Sequence, residues 1–121
     1  MIADINLDVI NKHEIDETII LGIADDASNP QNYLMVQKPV GIEFAEADDV
    51  YTEFNDQINS AYGAVSEIEI SSDKIDIRLN DSGSKSLGRQ LIVICFGDHQ
   101  RDEIVGLFKT FFENTDVKIT V

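Results

Sequence analysis

The sequence predicts an α+β domain, a mainly antiparallel sheet of about six to eight strands with one C-terminal amphipathic helix packed on a face. Three observations point there. First, apolar and polar residues alternate in several short runs, the period of a half-buried strand. The clearest case is Ile68 and Ile70, then Ser71-Ser72-Asp73, then Ile75, Ile77 and Leu79, with charged residues between them. Second, the period changes near the C-terminus, where Ile104, Leu107, Phe108 and Phe111 fall at i, i+3, i+4 and i+7, one stripe of a helix. Third, the strands follow one another with short links and no repeating βαβ unit, which favours antiparallel pairing.

Taken in order, Ile5, Leu7 and Val9 alternate with Asn6 and Asp8 and read as a strand. Lys12-His13-Glu14 reads as a turn, and the apolar, β-branched run Glu17 to Ala24 as a second, more central strand. Asp25 to Asn32 is rich in turn formers and contains Pro30, so it reads as a loop. Tyr33 to Gln37 is a third strand, closed by Lys38-Pro39 because proline cannot donate to a ladder. Gly41 to Asp49 is acidic and aperiodic, a loop or short edge segment. Val50 to Asn55 alternates and reads as a fourth strand, while Asp56 to Gly63 fits either an irregular turn or a continued, bulged strand.

Val65–Ser71 and Lys74–Asn80 form a hairpin with one apolar and one charged face, on which Arg78 can pair with Glu67, Glu69 or Asp76. Asp81 to Gly88 has the composition of a flexible connection. Arg89 to Phe96 is continuously apolar, a strand deep in the sheet, with Cys95 expected there as a small buried hydrophobe. The helix follows, with Asp98 a candidate N-cap, Asp102 and Glu103 complementing its dipole, and Asn114 able to end it. Val117, Ile119 and Val121 make a final edge strand.

A chain of 121 residues fits one domain, residues 1–121, and can bury a core without staples. With a single cysteine it has no intramolecular disulfide. Its N-terminus places acids where a signal peptide has bases, and no apolar run reaches the ~20 residues of a membrane span, so a cytoplasmic protein is expected. The net charge of −14 is uneven. Residues 13–73 carry fourteen acids against one base, Lys38, whereas residues 74–121 balance. That sign disfavours nucleic-acid and anionic-membrane partners. It suits a partner with a basic surface, although acids also simply keep a small domain soluble.

No catalytic set is expected. There is no nucleophile-elbow pattern, His13 and His99 suit surface or capping roles, and one cysteine with two histidines has no zinc spacing. The glycines form no phosphate-cradling loop. Asp48, Asp49, Glu53 and Asp56 are grouped, but without a calcium-loop pattern, so neither metal nor cofactor is expected. They are either a solvated acidic surface or a partner-binding one.

The succession Asn32-Tyr33-Leu34-Met35-Val36-Gln37-Lys38, Val50-Tyr51-Thr52-Glu53-Phe54-Asn55-Asp56-Gln57 and Ser60-Ala61-Tyr62-Gly63 resembles the immunity protein 10 family, found beside bacterial polymorphic toxins. The hairpin, the Leu87-Gly88 link, the apolar strand and the terminal helix extend the resemblance over roughly residues 31–112. It implies a small α+β protein, not an enzyme, that binds a cognate protein toxin and neutralises it by occlusion, with an acidic surface available for the purpose. The alternative from the residues alone is an acidic binding or adaptor domain without a toxin partner, self-associating through an edge strand such as 117–121. The candidate partner-binding residues are Asp48, Asp49, Tyr51, Glu53, Asp56, Gln57 and Tyr62. For Tyr51 and Tyr62 the competing role is packing, and for Glu53, Asp56 and Gln57 it is hydrogen bonding within the fold. The oligomeric state is left open.

Overall fold

The strands divide into two sheets of five. In the computed structural model, which describes residues 3–39, 50–97, 101–113 and 115–121, ten strands and two helices are seen among those residues. The strands are β1 (Ile5–Asn6), β2 (Val9–Ile15), β3 (Thr18–Ala24), β4 (Tyr33–Pro39), β5 (Tyr51–Phe54), β6 (Asp56–Tyr62), β7 (Val65–Ile70), β8 (Lys74–Leu79), β9 (Leu91–Cys95) and β10 (Lys118–Thr120). The helices are α1 (Asp81–Leu87) and α2 (Arg101–Phe111). β2-β3-β4-β5-β6 form an antiparallel meander. The second sheet has the order β1-β9-β8-β7-β10, with β1 parallel to β9 and β10 parallel to β7. The expected single sheet of six to eight strands with one helix is thus corrected to two sheets and two helices. Most of the strand patterns hide one face, with β8 and β9 buried on both over part of their length, and ten such strands are served better by two sheets sharing a core than by one broad sheet.

The first alternating run is split between the two. Ile5 sits in β1 of the mixed sheet, and by Val9 the chain has entered β2 of the meander. Leu7 and Asp8 make the step, with Leu7 N–H donating to Cys95 O and Asp8 N–H to Ala24 O. The turn expected at Lys12-His13-Glu14 is instead inside β2, where these residues pair with Leu21, Ile20 and Ile19. The reversal comes at Asp16 and Glu17, whose φ values of 50° and 63° give the left-handed two-residue turn that matches strand twist. Charged residues at 12–14 mark an edge strand, not a break.

The stretch after Asn55 is neither an irregular turn nor a continuation of the preceding strand: the chain reverses at Asn55 and Asp56–Tyr62 returns antiparallel to β5 as a separate strand. Asn55 has φ 64°, and the β5–β6 register shifts at Glu53/Phe54. The Val65–Asn80 hairpin is as expected, and Arg78 pairs with Glu67 at 3.3 Å. Asp81 to Gly88 is a helix rather than a flexible connection. Asn80 caps it by accepting from Gly83 N–H at 2.7 Å, and Gly88, at φ 75°, closes it. Cys95 is half-buried rather than buried. β10 is the edge strand expected. The Gly41–Asp49 loop, the Asp98 cap, His99 and Asn114 lie outside the described residues.

One apolar core joins the sheets. Leu21 and Ile23 of β3, Leu34 and Val36 of β4, Ile75 and Ile77 of β8, and Ile92 and Ile94 of β9 belong to the same cluster as Ile104, Phe108 and Phe111 of α2. Helix α2 also binds both sheets through polar groups. Arg101 donates to the carbonyls of Ser71 at 2.8 Å and Ile70 at 3.1 Å, at the end of β7. Lys38 of β4 donates to Glu113 O at 3.1 Å, beyond the helix end, with its ammonium 5.4 Å from the Phe111 ring centre. Burial lowers the Lys38 pKa against the pull of Glu113. No described helix is long and apolar enough to cross a membrane.

Candidate partner-binding face

Strand alternation decides what the meander shows to the outside. In β4, Leu34, Val36 and Lys38 are buried, while Tyr33, Met35 and Gln37 between them are only half-buried. In β5, Thr52 and Phe54 are buried and Tyr51 and Glu53 are half-buried. The register carries this outer layer across the sheet. Tyr33 lies opposite Ala24, Met35 opposite Gly22 and Gln37 opposite Ile20 on one side. On the other, Met35 pairs with Glu53 and Gln37 with Tyr51, which then pair with Ser60 and Tyr62. Val9, Asn11, His13 and Ile15 of β2 share the same side.

The centre of this face is a tyrosine–carboxylate cluster. Tyr33 Oη donates to Glu53 Oε2 at 2.5 Å, and Tyr51 Oη donates to Glu53 Oε1 at 2.8 Å. Both carboxylate oxygens are occupied, so the two rings are held by charge-assisted bonds. Tyr62 packs on Tyr51 with centroids 5.3 Å apart and planes at 58°, yet stays 64% exposed. Asn55 steadies the strand ends. Its side chain accepts from Tyr33 N–H at 2.8 Å and donates to Asn32 Oδ1 at 3.1 Å.

Burial first, then the bond to Glu53 and the nearby carboxylates, pushes the Tyr33 pKa up to about 12. For Tyr51 a bond with Ser60 acts to lower it, and burial together with Glu53 outweighs that, so this phenol also titrates above its ordinary value. A phenol whose folded pKa exceeds its unfolded pKa of about 10 adds stability that is complete below that pH and lost as pH rises toward 12. Tyr33→Phe is therefore expected to cost about 1.5–3 kcal/mol near neutral pH, the worth of a hydrogen bond to a charged group. The difference from wild type should vanish between about pH 10 and 12. Urea unfolding across that range measures it, and a pH-independent difference would mean that the Tyr33–Glu53 bond is not what the variant loses.

The face is hollowed beside the cluster. Val9, Ile20, Ala24, Pro30, Tyr33 and Met35 line a shallow apolar concavity of about 300 Å³. A smaller one, about 140 Å³, lies between Gln37, Pro39, Tyr51 and Tyr62.

Of the residues singled out from the sequence, Tyr51, Glu53 and Tyr62 come together here. Asp56 and Gln57 are exposed at the start of β6, where Asp56 Oδ1 accepts from Ile58 N–H at 3.2 Å and Gln57 O accepts from Ser60 Oγ at 2.7 Å. They stand at the end of the strand pair, beside the 82% exposed Ile58, rather than in the cluster. Asp48 and Asp49 lie outside the described residues. Ile20, Met35 and the role of Tyr33 as partner of Glu53 were not singled out. The alternation in Tyr33-Leu34-Met35-Val36-Gln37 carried the signal that Tyr33 and Met35 share a side, but not that Tyr33 bonds Glu53, whereas Ile20, inside a continuous apolar run, carried none. Among the described residues no group of three or more His, Cys, Asp and Glu is placed to hold a metal ion.

A family model described as Immunity protein 10 matches residues 6–102, a segment that contains the whole of this face. No curated protein matches the chain.

Proposed function

The chain belongs to the immunity protein 10 family, immunity proteins of toxin systems, and on that premise we propose that it neutralises a cognate toxin by direct, non-catalytic binding that occludes the toxin's working surface. The family match over residues 6–102 carries the reading. An exposed, preorganised aromatic surface supports it, because an inhibitor needs complementarity and not chemistry. The site of action is the cytoplasm, and the toxin's contacting surface is basic. Co-expression with the toxin encoded beside it is the test. Rescue of growth together with a recoverable complex is the expected outcome, and neither rescue nor complex would end the reading.

Charge contributes to encounter more than to the final affinity. The excess of acids in residues 13–73 makes a one-signed field that attracts a basic toxin. Reversing Asp48, Asp49 and Asp56 to Lys together is expected to slow association by about tenfold at low salt, with the gap closing as salt screens the field. Stopped-flow mixing at two ionic strengths reads this, and an association rate unchanged at low salt would remove steering from the mechanism.

A second reading is favoured by one observation. β10 pairs with β7 at the end of its sheet order, so among the described residues its other side is an open edge. An adaptor that self-associates through residues 117–121 would run as a concentration-dependent oligomer in sedimentation, whether or not a toxin is present.

A further inference from the structure

We propose that the outer face of the meander sheet is the surface that seats the toxin, and that its occupant is an apolar toxin segment flanked by Lys or Arg residues. This deepens the reading above and rests on it. The two outer faces of the molecule differ in kind. On the mixed sheet, Arg78 stands 3.3 Å from Glu67, a half-exposed ion pair that suits solvent, and Lys74 stands 3.6 Å from Asp76, which is itself buried. On the meander, Ile20, Met35, Tyr33 and Tyr51, all half-buried, and Tyr62, exposed, form a layer on the parity opposite to the buried residues of β3, β4 and β5. The one carboxylate within that layer, Glu53, has both oxygens engaged by tyrosine hydroxyls.

The charges carried by the described ends of the meander itself are of one sign, and Arg89, which reaches within 5.9 Å of the Phe54 ring, is paired with Asp4. The two bases of the meander, Lys12 and Lys38, fall on the opposite parity, paired across β3 with Leu21 and Ile19. Asp16 and Glu17 form the turn at one end of the sheet. At the other end Asp25, Asp26 and Asp56 follow β3 or begin β6. An apolar centre between two acidic ends is complementary to an apolar protrusion between bases, and not to a second copy of the same face, whose acidic ends would repel.

The face is of moderate size. Five strands at a spacing of ~4.8 Å, with up to seven residues at ~3.3 Å each, make a face of about 24 by 23 Å. That is roughly 550 Å², about two-thirds of the ~800 Å² per partner of a standard interface. Tyr62, exposed but braced against Tyr51, is the anchor, because an aromatic already held in place loses little freedom on binding.

The test uses the full chain and the toxin domain encoded by the adjacent gene, with affinity read by calorimetry and folding by thermal melting. Tyr62→Ala is expected to weaken binding about thirtyfold, the effect of a hot-spot truncation, and Met35→Glu by more. Glu69→Lys, on the outer face of the mixed sheet, should change it less than about threefold. Hydrogen exchange on the wild-type complex, which needs no variant to fold, should show protection at residues 33–37 and 51–62. A wild-type complex that neither face variant weakens, with no protection there, overturns this inference alone. A wild-type chain that forms no complex overturns the proposed function and this inference together. A homodimer dissolved by Tyr62→Ala would assign the face to a second copy and overturn it too.

Discussion

Replacing Phe111 by alanine should destabilise the fold by about 4 kcal/mol, near the upper range for a fully buried aromatic. Phe111 is 0% exposed in the shared core. It packs edge-on against Phe112 at 4.8 Å and lies under the Lys38 ammonium. Truncation therefore loses the transfer energy of the ring, leaves a cavity, and strips a buried cation of its aromatic neighbour. For a domain of ordinary stability, about 5–15 kcal/mol, that is a large share. The form of the transition is as informative as its midpoint. All three tyrosines, in a chain without tryptophan, belong to the meander or its edge, so tyrosine fluorescence reports that sheet. Far-ultraviolet dichroism reports both sheets. Because the core cluster spans the two, the midpoints in urea should shift together with an unchanged m-value, the behaviour of one cooperative domain. Separate midpoints would show that the sheets unfold as two units.

Much of this architecture was readable from local pattern, and what was not had a common cause. Alternation located the β7–β8 hairpin, β4, β5 and β10, and the 3.6-residue stripe located α2, whose Ile104, Phe108 and Phe111 are buried as expected. Periodicity assigns residues to an element but not the element to a sheet. Ile5, Leu7 and Val9 share one pattern while their chain passes from the mixed sheet to the meander. The turn at Asp16-Glu17 was hidden because neither residue is a glycine, although both adopt positive φ. Helix α1 was hidden by two glycines and three serines in a stretch of eight, a poor helical composition held by Asn80 at one end and Gly88 at the other. At the site, spacing of two put Tyr51 and Glu53 on one side of a strand. The bond from Tyr33, twenty residues earlier, depends on the β4–β5 register, which no local pattern specifies. Grouping the acids by sequence drew Asp56 and Gln57 in with Glu53, whereas the register shift beside Glu53 carries them to the end of the strand pair.

Gly83 tests the other side of the meander, where helix α1 covers its edge strand β6. Propensity alone says that Gly83→Ala stabilises a helix by about 1 kcal/mol. Packing says the opposite. A Cβ at Gly83 would stand 2.7 Å from the Ala64 Cβ, 2.7 Å from the Ala64 carbonyl oxygen and 2.8 Å from its Cα. Two of those atoms are backbone, and they are pinned. Ala64 O accepts from Asn80 N–H at 2.9 Å, while the Asn80 side chain donates to Gly63 O and caps α1 through Gly83 N–H. Relief requires moving the helix off β6 and breaking that clamp. Overpacking a tight site costs typically 1–3 kcal/mol, and backbone opposition puts this one at the upper end. Net of propensity, Gly83→Ala should destabilise by about 2 kcal/mol. The double variant with Ala64→Gly should recover only part of the loss, since the carbonyl contact remains after the methyl is gone. Urea unfolding of the two variants and wild type decides between the effects. A stabilised single variant would mean that α1 stands further from Ala64, and full recovery in the double variant would mean that only the two methyl groups collide.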